Sequence, residues 1–196
     1  MKIVLFFYPK TRATRVRWML EEVGADYTLQ TLDVRGGENR QPPYLAIHPQ
    51  GKVPALTIDG RPMIESGAIC GWLADAFPGS GLAPALDAPE RADYMQWLFY
   101  ASATLEPALG ELFAAKRKGE SGEAQAAALV PMVAFAERAL ADRPWLTGEA
   151  FSAADVILAS SFQWLRVMAP EMLPAMLSDY STRAFSRPAA RRAIAI

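Results

Sequence analysis

The 196-residue sequence has one cysteine, Cys70, and one histidine, His48. A single cysteine excludes an intrachain disulfide, a CxxC redox pair and a cysteine-rich zinc site. A single histidine leaves little basis for a histidine-ligated metal site or a Ser-His-Asp triad. We therefore expect no metal centre. Cys70 lies within a predicted helix and is expected to be a buried apolar side chain rather than a nucleophile.

The sequence also lacks a charge excess and a long hydrophobic run. Its formal net charge is −1, which removes the simplest electrostatic case for nucleic-acid binding. The longest apolar stretches, residues 3–8 and 126–136, fall well short of the roughly 20 residues that cross a bilayer. No small-residue cleavage site follows the first stretch, so it predicts a buried strand rather than a signal peptide. We expect a soluble, cytoplasmic protein that binds neither nucleic acid nor membrane.

The two halves of the chain predict different secondary structure. Residues 101–196 contain 24 alanines and residues 1–100 contain 11, and alanine is the best helix former. The first half alternates short apolar runs with amphipathic stretches and predicts the order β-α-β-(short helix)-β-β-α. We predict an α/β domain over residues 1–78, a linker over 79–88, and an all-α domain over 89–196. The predicted strands cover 3–8, 27–34, 54–58 and 61–64, and the helices 14–23 and 65–77.

Five helices are predicted in the second half, over 89–118, over 122–141, from 152, and near 171–181 and 187–193. Pro131 is expected to kink the second of these. Ser152 and Asp155 have the spacing of a capping box, which predicts where the third helix begins.

Four motifs follow one another along nearly the whole chain. They are Phe-Tyr-Pro-Lys-Thr-Arg leading into Arg-Val-Arg-Trp-Met-Leu-Glu-Glu (7–12 and 15–22), His-Pro-Gln-Gly-Lys-Val-Pro-Ala-Leu (48–56), Glu-Ser-Gly-Ala-Ile (65–69), and Trp-Leu followed by Phe-Ser-Ala-Ala-Asp (145–146 and 151–155). In this order they resemble the cytosolic glutathione S-transferases, in particular bacterial theta- and beta-like members. The resemblance implies a thioredoxin-like N-terminal domain with a mixed four-stranded sheet, an all-helical C-terminal bundle, glutathione as co-substrate and a homodimer.

The resemblance also implies a glutathione site. The Val53-Pro54 bond would be cis, so that glutathione pairs with the Val53 backbone like a short antiparallel strand. Ser66 and the start of its helix would bind the γ-glutamyl carboxylate, and Glu65 the adjacent ammonium. Lys52 would neutralise the glycyl carboxylate. An ordinary trans proline and ordinary N-capping residues are the alternative.

Two further interpretations concern the loops around this site. Side chains of the loop 35–43, namely Arg35, Asn39 and Gln41, could assist Lys52. His48 stands where the family usually has Asn, and we interpret it as a structural turn residue.

The residue that would activate the thiol departs from the family pattern. Catalysis needs a thiolate, and the family supplies a Tyr at the end of strand one, or a Ser or Cys in the next loop. Those positions hold Phe7, Thr11 and Arg12 here. We predict Thr11 as a hydroxyl donor and Arg12 as a positive charge near the sulfur. The alternative for Thr11 is a helix-start residue without a chemical role.

The electrophile pocket would lie between the domains, with Tyr94, Trp97 and Ala101 as its lining, although an aromatic stripe at helical spacing is also typical of core. The predicted function is a detoxifying glutathione transferase that activates the thiol for attack on small apolar electrophiles. The alternatives are a non-catalytic glutathione-binding or regulatory module, or a glutathione-dependent isomerase, dehalogenase or peroxidase. A thiol-disulfide oxidoreductase is disfavoured because the loop after strand one has no Cys.

Overall fold

A computed structural model describes residues 1–195, and its chain divides into two units. The first unit comprises Met1–Ser80 together with the segment that begins at Arg187, and the second is Gly81–Ser186. The final segment therefore does not belong to the helical domain predicted over 89–196, whose last residue lies outside the described residues. In the described chain, no helix has both the length and the apolarity to cross a membrane.

The first unit is built on four strands, β1 (Ile3–Phe7), β2 (Tyr27–Thr31), β3 (Ala55–Ile58) and β4 (Arg61–Ile64). They are ordered β2-β1-β3-β4, with β1 parallel to β2 and antiparallel to β3, and β3 antiparallel to β4. This confirms the predicted mixed four-stranded sheet.

Three helices accompany the sheet in sequence order, α1 (Ala13–Val23), α2 (Pro42–Leu45) and α3 (Ser66–Ala76). α1 ends at Gly24, which has a left-handed φ of 66° and donates its N–H to the Leu20 carbonyl. Glycine adopts this conformation without a Cβ penalty, so the predicted end of the helix is confirmed.

The second unit consists of α4 (Glu90–Phe99), α5 (Glu106–Arg117), α6 (Glu123–Leu140), α7 (Ala153–Met168) and α8 (Ala175–Phe185). The single helix predicted over 89–118 is interrupted by a π-helical segment, Tyr100–Leu105, between α4 and α5. Pro107 follows this segment and has no N–H to donate to the carbonyl four residues earlier, which disfavours regular α-helical hydrogen bonding at this point.

Helix α7 begins at the predicted capping box. Ser152 donates its N–H and its hydroxyl to Asp155 Oδ2, at 2.9 and 2.7 Å. Asp155 Oδ1 accepts the Leu146 N–H and the Tyr180 hydroxyl, both at 2.9 Å. Burial raises the pKa of the Asp155 carboxyl, and these four donors oppose that shift. One buried carboxylate thus joins the start of α7, the turn before it and α8.

The C-terminal helix, α9 (Pro188–Ile194), packs on α1 within the first unit. Its buried face is made of small side chains, Ala189, Ala190 and Ala193. At its start, Arg187 donates to both carboxylate oxygens of Glu22, at 2.6 and 2.8 Å. The alanine face and this two-pronged ion pair explain why the chain's last helix belongs to the first unit and not to the second.

Candidate active site

The strand register brings three segments to one end of the sheet. Phe6, near the end of β1, pairs with Ala55 at the start of β3, and Ala55 pairs with Ile64 at the end of β4. Three segments therefore leave the sheet at the same end of its strands: the loop after β1, the residues before β3 and the residues after β4. These are the segments that carry Thr11, Pro54 and Glu65.

In the loop after β1, the Thr11 hydroxyl has two backbone partners. It donates to the Tyr8 carbonyl at 2.7 Å and accepts the Ala13 N–H at 3.2 Å. Accepting that N–H caps the first turn of α1. The single proton of the Thr11 hydroxyl is donated to the Tyr8 carbonyl. The hydroxyl must therefore rotate away from this carbonyl before it can donate to a sulfur.

Arg12 and Phe7 occupy the other two candidate catalytic positions. Arg12 is exposed and directly precedes α1, at the helix end where the dipole favours a nearby anion. Phe7 is 1% exposed, so a buried ring without a hydroxyl stands at the position where the resemblance implies a tyrosine. Of these side chains only Thr11 and Arg12 offer a donor or a charge near the start of α1.

The segment before β3 contains Val53 and Pro54, where the peptide backbone of glutathione is predicted to pair. The Val53-Pro54 bond is cis, as the resemblance implies. Pro54 is buried, and Val53 is half-buried against the cluster that includes Tyr44 and Leu32. Lys52 is exposed, so its ammonium is accessible at this edge.

Side chains from residues 39–48 donate hydrogen bonds to the backbone just before Val53 and Pro54. The sequence did not predict this role for two of them. Asn39 Nδ2 donates to the Gly51 carbonyl at 2.6 Å, and the Tyr44 hydroxyl donates to the Lys52 carbonyl at 2.5 Å. Burial raises the pKa of Tyr44 to about 12, which keeps this hydroxyl a donor. Asn39 is buried and its Nδ2 serves the loop, so it does not take the ligand-assisting role predicted for it. The only signal for these contacts is the polar loop that precedes the His-Pro-Gln-Gly motif.

The segment after β4 begins α3. Glu65 precedes the helix with a φ of 70°, is exposed, and accepts the Ile69 N–H on its carbonyl at 2.9 Å. Ser66 is the first helical residue and is 8% exposed. Its hydroxyl and the first N–H groups of α3 lie together at the positive end of the helix dipole, an arrangement suited to a carboxylate.

The predicted electrophile-pocket residues lie in the core of the second unit. Tyr94, Trp97 and Ala101 are at most 1% exposed. The Trp97 ring stacks on Phe135 with centroids 4.9 Å apart, and the Arg91 guanidinium lies 5.0 Å from the Tyr94 ring centroid. Side chains buried in this way leave no surface for a ligand, so the structure favours the alternative interpretation of these three, core packing.

Two family models match the sequence. One, described as the N-terminal domain of glutathione S-transferase, matches residues 1–75, and the other, described as the C-terminal domain, matches 119–192. Glutathione S-transferase GstA of Escherichia coli O157:H7 is 30% identical over 163 residues, which cover 82% of this chain and 81% of GstA. The chain belongs to the glutathione S-transferase family. The thioredoxin-like fold of its first unit and the helical fold of its second are those of the family.

Two further proteins are similar to this chain over nearly its whole length. The disulfide-bond oxidoreductase YfcG of Escherichia coli K12 is 30% identical over 210 residues, covering 98% of this chain and 94% of YfcG. A solved sphingomonad glutathione S-transferase complexed with glutathione matches with a TM-score of 0.82 and 29% identity, covering 99% of this chain and 97% of that chain. Among residues 1–195, no group of His, Cys, Asp and Glu side chains is arranged to hold a metal ion.

Proposed function

We propose that this protein binds glutathione at the edge where the three loops meet and activates its thiol for attack on small apolar electrophiles. The strand register that brings the Thr11 loop, Pro54 and Glu65 to one end of the sheet is the observation that carries the proposal. The relatives named as glutathione S-transferases, one of them complexed with glutathione, support it.

Each end of glutathione has a complementary group in this arrangement. Ser66 and the N-terminal N–H groups of α3 bind the γ-glutamyl carboxylate, while Glu65 binds the adjacent ammonium. The central part of the peptide pairs with the backbone of Val53. The exposed Lys52 neutralises the glycyl carboxylate. The thiol then extends toward the start of α1.

The chemical step needs the thiolate. The Arg12 guanidinium, the dipole of α1 and the Thr11 hydroxyl favour the charged sulfur over the neutral thiol, and the proton passes to solvent. The sulfur then forms a bond to an electrophilic carbon. That carbon's bond to its leaving group breaks, and the leaving group keeps the bonding electron pair.

We expect Thr11→Val to raise the pKa of bound glutathione by about one unit and to slow turnover at neutral pH about tenfold. A hydrogen bond to a charged sulfur contributes roughly 1.5–3 kcal/mol. Rotation toward sulfur gives up the bond to the Tyr8 carbonyl, which offsets about 1 kcal/mol of that gain. The remainder corresponds to about one pKa unit.

Thr11→Ser is the matched control because it keeps the hydroxyl, and Arg12→Ala removes the nearby charge. Thiolate absorbance of the glutathione complex is titrated for all three variants. A titration curve of Thr11→Val that coincides with wild type, beside a shifted curve of Arg12→Ala, assigns the activation to Arg12 instead.

A second candidate function is glutathione-dependent disulfide reduction, which the full-length similarity to YfcG favours. The protein's own Cys70 is buried, so both reducing thiols must come from two glutathione molecules. One thiolate attacks a substrate sulfur and forms a mixed disulfide; the substrate S–S bond breaks, and the first substrate sulfur leaves with the electron pair as a thiolate. The second glutathione thiolate attacks the glutathione sulfur of the mixed disulfide, which releases the second substrate thiolate and oxidised glutathione, and both substrate thiolates take up protons from solvent. Turnover of glutathione with a panel of apolar electrophiles and with a small symmetric disulfide separates the two functions. Binding without turnover in either assay indicates a non-catalytic module.

We also expect a homodimer, as is usual in this family. Met95 and Phe99 lie four residues apart on α4 and are 39% and 65% exposed, an apolar pair that a second copy would cover. Light scattering at micromolar concentration should give twice the 21.4 kDa of one chain. Phe99→Asp should shift the mass toward the monomer, and Val130→Asp, at a site on α6 that is 60% exposed, should not. A wild-type mass of a single chain contradicts this prediction.

A further inference from the structure

We propose that His48 is a pH-sensitive positioning residue: its neutral ring fixes the loop that carries Lys52 and Val53, and protonation of the ring weakens glutathione binding. The inference deepens the proposed function and rests on it for the identity of the ligand. It goes beyond the family pattern, because His48 replaces the Asn that this motif usually has.

The His48 ring is built into the loop that it would control. It is 3% exposed, and its Nδ1 accepts the Gln50 N–H at 3.3 Å. Its backbone carbonyl accepts the Gly51 N–H at 2.8 Å, which closes the turn. On one side the ring is stacked near Tyr44, with centroids 6.4 Å apart. An acceptor at Nδ1 places the proton of the neutral ring on Nε2.

The turn held by His48 has little freedom to rearrange. Gly51 has a φ of 58°, and a Cβ placed there would lie 2.5 Å from the Asn39 carbonyl oxygen. The carbonyls of Gly51 and Lys52 each accept a side-chain hydrogen bond, from Asn39 and from Tyr44. Lys52 and Val53 follow directly, so a shift of the Gln50 amide moves both of these ligand-binding residues.

Protonation removes the acceptor on which this turn depends. The imidazolium ring carries a hydrogen on both nitrogens, so Nδ1 becomes a donor that faces the Gln50 N–H. Two donors pointed at one another cannot bond, and the buried charge also loses hydration. A shift of the Gln50 amide away from Nδ1 relieves the repulsion between the two donors.

The charged groups around the ring shift the pKa of His48 in opposite directions. Burial lowers the pKa of His48 below its ordinary value of 6.5, and the Lys52 ammonium adds to this. The Glu65 carboxylate and a hydrogen bond to the His48 backbone oppose this lowering of the pKa. Arg40, whose guanidinium donates to the Gln50 carbonyl at 3.0 Å, holds the same turn from outside. Because the folded protein favours the neutral ring, the loss of loop order occurs as the pH falls below 6.5 and not above it.

The test compares the glutathione dissociation constants of wild type, His48→Asn and His48→Leu by calorimetry between about pH 5 and 8. Wild type should bind about fivefold more weakly at the acid end, the loss expected for one hydrogen bond. His48→Asn offers an acceptor oxygen that does not titrate, so it should bind like neutral wild type without the histidine-dependent step. His48→Leu should bind about fivefold more weakly throughout. Any titration of glutathione itself is common to all three proteins.

The proposal is wrong if the dissociation constant of His48→Asn changes with pH as that of wild type does. It is also wrong if His48→Leu binds glutathione at neutral pH with the affinity of wild type. Hydrogen exchange of the Gln50 amide without ligand separates this inference from the proposed function. Relative to His48→Asn, wild type should lose protection there as the pH falls. If no protein binds glutathione but this loss is seen, the proposed function fails while the control of the loop by His48 stands. If Gln50 protection is the same in all three proteins, His48 does not position the loop.

Discussion

Asp155→Ala is expected to lower the free energy of unfolding by about 3–5 kcal/mol, the largest effect of any single change that we predict. The carboxylate is fully buried and accepts four hydrogen bonds, from Ser152, Leu146 and Tyr180. Its removal leaves buried donors without a partner, each at a cost of roughly 1–3 kcal/mol that is only partly additive. Urea unfolding followed by circular dichroism measures the change.

Asp155→Asn is the matched control because it keeps the shape and one acceptor oxygen. It should be less destabilising than Asp155→Ala, because the remaining amide oxygen still accepts the hydrogen bonds at one of the two oxygen positions. Only at the other position does the amide NH₂, itself a donor, face two donors. A loss below about 1 kcal/mol for Asp155→Ala contradicts the account, because such a value is typical of one ordinary hydrogen bond.

Ser66→Ala is expected to weaken glutathione binding by about 1–3 kcal/mol, or roughly 5- to 150-fold in the dissociation constant. Ser66 is 8% exposed and begins α3, so its hydroxyl lies where the helix N–H groups favour a carboxylate. The variant leaves those N–H groups in place but removes one donor from the anion. Calorimetric titration with glutathione at neutral pH measures the effect.

Ser80→Ala provides a control within the same unit. Ser80 lies past the opposite end of α3, where its hydroxyl donates to the Phe77 carbonyl at 2.7 Å. Its loss should leave the dissociation constant unchanged. Equal affinities of wild type and Ser66→Ala would remove the N-terminus of α3 from the binding site.

Features that depend on nearby residues were predicted well from the sequence. The end of α1 at Gly24 and the capping box at Ser152 and Asp155 depend on residues within one helical turn. The hairpin of β3 and β4 turns at Asp59 and Gly60, which have positive φ values of 48° and 83°. Local chemistry of this kind is encoded in short windows, so periodicity and turn residues suffice to find it.

Features that depend on distant partners could not be predicted in this way. Arg187 and Glu22 are 165 positions apart, and no local pattern indicates that they form an ion pair or that α9 returns to the first unit. The Tyr8 carbonyl accepts the Thr11 hydroxyl proton and so competes with a sulfur for it. The residue types alone do not show where this carbonyl lies. Tyr94 and Trp97 show the same difficulty, because buried aromatics and pocket-lining aromatics share one helical spacing.

One titration tests whether the protein binds glutathione and whether it stabilises the bound thiolate. Ultraviolet thiolate absorbance is recorded against pH for glutathione alone and for glutathione saturated with the protein. A free thiol titrates with a pKa of about 8.5. We expect the bound thiol to titrate about one pKa unit or more lower, because the start of α1 and Arg12 favour the anion. A bound thiol that titrates at the value of free glutathione would contradict this expectation.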